Sequence, residues 1–111
     1  MRNKDSSILT MADERRRRFK FDVAVLGASA IDEQGTVLEF DPMEVDLVRD
    51  VLTQSRQVIL VAHDEKFGRR APHVVTSLAE IDVLISNVAP QLRDGAGNAL
   101  PLPGNLRLIT A

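Results

Sequence analysis

The chain has no cysteine, no tryptophan and no tyrosine. The first absence excludes disulfides, thiolate metal sites and cysteine nucleophiles, and it fits a reducing compartment. The other two leave four phenylalanines as the aromatic complement of 111 residues. A core must then be assembled from Val, Leu, Ile and Ala, which suits α/β layer packing. No apolar run approaches the ~20 residues of a membrane span. The first ten residues carry no apolar stretch ahead of a small-residue cleavage site, so they do not read as a secretory signal. There is no Gly-x-Ser-x-Gly elbow for a serine nucleophile. These absences point to a cytoplasmic chain of one domain at most, with no membrane partner.

What is present is unevenly charged. The net charge of -2 divides into seven basic and three acidic residues up to Lys20, and seven basic and thirteen acidic from Phe21 onward. The acidic body does not attract nucleic acid through its general field. The Arg15 to Arg18 run lacks interleaved aromatics and any helix-turn-helix pattern, and reads as the solvated face of a short basic helix or arm.

Past that arm, elements alternate. Asp22-Val-Ala-Val-Leu-Gly27 is apolar on successive residues, which predicts a parallel-sheet strand covered on both faces. A loop over residues 27–40 follows, with Asp32-Glu33-Gln34-Gly35 as a turn and Thr36-Val37-Leu38 as a short strand. Asp41, Pro42 and Glu44 mark a helix start, and Val45, Val48, Val51 and Leu52 make its apolar stripe. That helix should end near Ser55 or Arg56. Gln57-Val-Ile-Leu-Val-Ala62 is a second strand, and residues 63–72 form a charged loop. Ser77 and Glu80 look like a second capping pair opening a short helix. Asp82-Val-Leu-Ile-Ser86 is a third strand, residues 90–104 read as a Pro/Gly-rich loop, and residues 106–110 as a last strand. The order predicts an α/β fold with a mostly parallel sheet and flanking helices.

Ligands of such sheets bind beyond the carboxyl ends of the strands. Two loops leave those ends. In the first, Gly27, Ala28 and Ser29 allow close backbone approach and offer a hydroxyl, and Asp32 can accept from a sugar hydroxyl; an ordinary tight exit loop explains the same residues. In the second, the Lys66-Phe67-Gly68-Arg69-Arg70 block places cations where a phosphate would sit; a solvated loop is the plain alternative. His63 and His73, with Asp64 and Glu65, match no standard metal-ligand spacing, so neither a metal nor a cofactor is expected.

Phe19-Lys-Phe-Asp-Val-Ala-Val-Leu-Gly-Ala-Ser-Ala-Ile-Asp-Glu-Gln-Gly35 resembles the effector-sensing signature of DeoR-family transcriptional regulators. Leu38-Glu-Phe-Asp-Pro-Met-Glu-Val45, Val58-Ile-Leu-Val-Ala-His-Asp-Glu-Lys-Phe-Gly-Arg69 and Leu78-Ala-Glu-Ile-Asp-Val-Leu-Ile85 follow in the family's order and spacing. The Glu-Phe-Asp and Lys-Phe-Gly-Arg blocks are most like the branch that represses a glycerol-3-phosphate regulon. The chain carries His63 and Val48 where the family more often has Asp and Lys.

The resemblance implies an α/β domain related to ribose-5-phosphate isomerase that binds a phosphorylated sugar or polyol effector. That binding weakens the hold of an attached winged helix-turn-helix on DNA. Carried over by position, Gly27, Ala28, Ser29, Asp32 and Lys66 face the effector, and Gly68 and Arg69 shape the second loop. Residues 1–18 are then a basic arm or short helix left from an upstream half, and residues 19–111 a partial sensor domain. The winged helix and the early strands with their phosphate loop are expected to be missing, so this piece does not bind DNA directly.

Isomerase chemistry needs carboxylates in the first loop and a lysine before the helix. Here Ser29 and Ala30 occupy that loop, and only Glu44 or Asp46 is placed to act as a base, so the pocket is read as non-catalytic. A small sugar-phosphate isomerase-like enzyme is one alternative. The other is a vestigial module that forms homo-oligomers through a bare sheet edge.

Overall fold

The computed structural model describes residues 20–111; the basic arm expected over residues 1–18 lies outside them. Four strands form one sheet: β1 (Phe21–Gly27), β4 (Ser55–Ala62), β6 (Val83–Ser86) and β9 (Arg107–Thr110), in the order β1-β4-β6-β9. All three pairings are parallel, with Gly27 opposite Val61, Ala62 opposite Ser86, and Ser86 opposite Thr110. β2 (Ala30–Ile31), β3 (Thr36–Glu39) and β5 (His73–Ser77) make a small antiparallel sheet, and β7 (Leu92–Arg93) pairs with β8 (Ala99–Leu100) as a hairpin.

Helix α1 (Pro42–Gln54) starts where the sequence marks it. Asp41 is extended at the cap and its carboxylate accepts the Met43 N–H at 2.9 Å, with proline at the first helical position. Its end is also local: Ser55 Oγ donates to the Val51 carbonyl at 2.6 Å and the Ser55 N–H to that of Leu52. Val45 and Val51 are buried, and Val48 and Leu52 pack partly buried against the same core. Each such burial stabilises by about 1.5–3 kcal/mol at full coverage.

Alternation along the strands sends Ala24, Val58, Leu60, Ala62 and Leu84 to this core, where Ile31, Leu78 and Ile81 from the connections close over them. Leu60, Leu84 and Ile81 are fully buried.

Four readings need correction. Among the described residues, the second face of the central sheet is covered only in part. Val83 on that face is 6% exposed, whereas Val23, Val25, Val61 and Ile109 are exposed, Val25 at 65%. A run of apolar residues does not reveal coverage, because an uncovered apolar face has the same composition as a covered one. Ser77 does cap, accepting the Ala79 N–H at 3.1 Å, but it opens a single 3-10 turn (Leu78–Glu80). Glu80 turns back to accept from Thr76 Oγ1 instead of completing the box. Residues 73–77, ahead of that turn, are strand. Residues 30–31 and the β7–β8 hairpin are strand where the sequence predicts loop. Among the described residues α1 is the α-helix of the fold, and no helix there is long and apolar enough to cross a membrane.

Candidate functional site

Because the four central strands are parallel, their carboxyl ends share one edge, where open α/β sheets take ligands. Connections leave that edge after Gly27, Ala62 and Ser86, and backbone bonds lace them together. The Gly68 N–H donates to the Ile31 carbonyl at 2.7 Å, beside a parallel bridge between Ile31 and Phe67. The Arg93 N–H donates to the Glu33 carbonyl at 2.7 Å. The Asp64 N–H donates to Asn87 Oδ1 at 2.8 Å.

The first connection folds into the β2–β3 hairpin. Its turn is Asp32-Glu33-Gln34-Gly35, closed by Asp32 N–H to the Thr36 carbonyl and Gly35 N–H to the Asp32 carbonyl. Asp32 Oδ1 accepts the N–H groups of Gln34 and Thr36, each at 2.9 Å. Gly35 has φ +84°, and a β-carbon there would lie 3.3 Å from Leu92 Cδ1. Glycine is thus required both by the left-handed backbone and by the third connection packed on it. Ser29 Oγ donates to Glu39 Oε1, which also accepts the Phe40 N–H at 3.0 Å.

Two hollows contain Asp32, Glu33 and Gly68. The larger, about 510 Å³, is completed by Gln34, Leu38, Arg70, Ala71, Asp94 and Gly95. The smaller, about 300 Å³, runs between Asp64, Phe67 and residues 88–93. Both are ligand-sized. Of the residues singled out in the sequence, Asp32 and Gly68 are therefore brought together. Gly27 and Ala28 line a separate crevice with Glu39 and Thr76, about 10 Å³ in volume, no larger than a single water. Lys66, partly buried, ends the 3-10 turn Asp64–Lys66, and Arg69 is exposed beside Gly68; neither lines the two hollows. Glu44 and Asp46 sit in the first turns of α1 and do not line them either.

Arg70, the last residue of the basic block read from the sequence, does line the larger hollow. Glu33, Gln34 and Asp94 carry no binding signal in the sequence. Asp94 carried only a turn signal, since its partners are all local: Oδ1 accepts from the Ala96 and Asn98 N–H groups, each at 2.9 Å. The Asn98 N–H foremost, with that of Ala96, holds the Asp94 carboxyl below its ordinary value against the opposing effect of desolvation. His63 Nδ1 lies 2.6 Å from Asp64 Oδ1 on the surface, an ion pair when the imidazole is protonated. No group of three or more His, Asp or Glu among the described residues is arranged to hold a metal ion.

A parallel sheet whose strand exits are laced around polar, ligand-sized hollows is the layout of an α/β ligand-binding domain. The family described as the DeoR C terminal sensor domain matches residues 1–88, and the chain belongs to it. The glycerol-3-phosphate regulon repressor of Escherichia coli K12 is 38% identical over 73 residues, covering 66% of this chain and 29% of the relative. That of Haemophilus influenzae is 36% identical over 74 residues, covering 67% and 29%. The HTH-type transcriptional repressor CsqR of Escherichia coli K12 is 28% identical over 72 residues, covering 65% and 28%. The chain thus spans under a third of the length of the curated relatives it matches.

Proposed function

We propose that this chain is the effector-binding part of a cytoplasmic DeoR-type transcriptional repressor. It holds a phosphorylated sugar or polyol, glycerol-3-phosphate first among the candidates, without converting it. The observation that carries the reading is the Gly68 N–H bond to the Ile31 carbonyl. It seats the basic second loop on the small-residue first loop. Lys66 supplies a point charge and Arg69 a planar fork for the phosphate. Asp32 meets the hydroxyls, and Gly27, Ala28 and Ser29 form the strand exit beside it. The names of the relatives support both the regulatory role and the choice of first ligand. Contact with the operator belongs to a DNA-binding domain of the full-length repressor, since the acidic body of this stretch repels DNA.

Thermal melting with glycerol-3-phosphate, ribose-5-phosphate and other sugar phosphates tests this. Ligand at a hundredfold its Kd adds about 2.7 kcal/mol, which raises Tm by about 10 °C or more in a domain of this size. Lys66→Ala should remove most of that rise. No shift with any of these ligands at millimolar concentration rejects the reading.

A second property has its own observation. The apolar patch of Val23, Val25, Val61 and Ile109, exposed among the described residues with Val25 at 65%, favours self-association into homo-oligomers. Sedimentation velocity should show mass rising with concentration, and Val25→Lys should lower it. A wild-type monomer across the micromolar range, unchanged by the substitution, rejects self-association through this face.

A further inference from the structure

The family match ends at residue 88, yet residues 88–95 supply one wall of both hollows at the strand exits. That wall leads into and tips the β7–β8 hairpin, and it is firmly held. Leu92 is 6% exposed and belongs to the core cluster. The Arg93 N–H is bonded to the Glu33 carbonyl, and Arg93 Nη1 donates to the Gly97 carbonyl at 3.3 Å. Asp94 Oδ1 fastens the tip through Ala96 and Asn98, and Gly97 supplies the left-handed residue at φ +86°. The tip residues Asp94 and Gly95 then line the same hollow as Gly68 and Arg70.

This placement has steric and electrostatic consequences. The hollow of about 510 Å³ opens further if the tip is removed, so the tip limits the ligand that enters. Asp94 also adds a carboxylate to a hollow already lined by Asp32 and Glu33, with Arg70 as the lining cation. Such a lining opposes a dianion and accepts charge-assisted hydrogen bonds from hydroxyls.

We infer that the β7–β8 hairpin is the specificity wall of the effector site. It sets the size of ligand admitted and, through Asp94, reserves the larger hollow for the hydroxyl-bearing end of a phosphorylated polyol, leaving the phosphate to Lys66 and Arg69 outside that hollow. The inference rests on the effector-binding reading above and goes beyond it by assigning selectivity to a segment outside the family match.

Two variants of the full chain test it. Asp94→Asn keeps an oxygen for the Ala96 and Asn98 N–H groups and removes only the charge. Replacing residues 94–98 by an Asn-Gly turn shortens the tip while keeping the Arg93–Ala99 pair in a two-residue hairpin. Titration calorimetry is run with glycerol-3-phosphate, ribose-5-phosphate, glucosamine-6-phosphate and inorganic phosphate. The shortened tip should favour the two larger ligands over glycerol-3-phosphate by about tenfold relative to wild type, and Asp94→Asn should tighten inorganic phosphate by about threefold or more. Binding seen only with the shortened tip also supports the wall. Wild-type binding that stays within about twofold in both variants overturns the hairpin's role and leaves the effector reading standing. No heat with any ligand in any of the three proteins overturns both. Should the shortened variant fail to fold, Asp94→Asn still decides the electrostatic half.

Discussion

Leu84→Ala should cost about 3–5 kcal/mol and leave a large unfolded fraction at 25 °C. Leu84 is fully buried in β6, an interior strand of the sheet with β4 on one side and β9 on the other. Its side chain faces the covered side, in one cluster with Leu60, Ile81 and Val58. Truncation loses the transfer energy of the isobutyl group and leaves a cavity, because strands paired on both sides cannot collapse into it. A domain of this length has a total stability of only about 5–15 kcal/mol, so the loss is a large share of the whole. Leu84→Met preserves volume and should cost less than about 1.5 kcal/mol. Urea unfolding followed by circular dichroism reads both. A loss below about 1 kcal/mol for the alanine variant would mean that the core is looser than the structure has it.

Asp82→Ala should cost about 2–3 kcal/mol through a different mechanism. Asp82 Oδ2 accepts the Val58 N–H at 2.7 Å, and the Asp82 N–H donates to the Val58 carbonyl at 3.0 Å. The Asp82 carbonyl in turn accepts the Arg107 N–H at 2.9 Å. One residue just before β6 therefore ties the middle of β4 to the start of β9. Hydrogen bonds to a charged acceptor contribute about 1.5–3 kcal/mol, and the partly buried Val58 N–H would lose its partner. Asp82→Asn retains an acceptor and should recover at least half of the loss. Hydrogen exchange at Val58 separates this from general destabilisation: its amide should exchange faster in the alanine variant, by more than the change in global stability explains. Equal protection in wild type and variant would falsify the assignment.

The legible parts of this fold are those whose cause is local. Asp41 and Pro42 open α1 because a carboxylate two residues ahead of a bare N–H acts without tertiary help. The central strands are legible because β-branched runs of that length have few alternatives. β5 was missed although His73-Val-Val-Thr-Ser77 is β-branched. Ser77 and Glu80 offered a competing cap signal, and the pairing that makes residues 73–77 a strand is with β3, some thirty-five residues earlier. The hairpin at residues 92–100 was hidden by its two glycines and by the prolines that flank it at 90 and 101. It is stabilised less by propensity than by Leu92 in the core and by the contact of Leu92 with Gly35.

The candidate site divides in the same way. Asp32 and Gly68 stand out in the sequence as a turn former and a glycine within a basic block, and they line one hollow. Arg70, from the same block, and Asp94 complete that hollow, but nothing within a few residues of Asp94 marks it as a lining residue. Lys66 and Arg69 remain on the same loop without lining the hollow, which is why Lys66→Ala is the variant paired with the ligand titration above.

By itself, the order of residues determined the central strands, the capped helix, the membership in a sensor family and the chemistry available at the strand exits. The strands and helix follow from side-chain type and short-range periodicity, and the family from the motifs it shares with its relatives. Which apolar strand residues stay exposed among those described, which loops meet and what walls the hollow were decided only in three dimensions. They depend on backbone bonds such as Gly68 N–H to the Ile31 carbonyl and Arg93 N–H to the Glu33 carbonyl. Main-chain donors and acceptors are the same at nearly every residue, so their long-range partners leave no mark in the sequence.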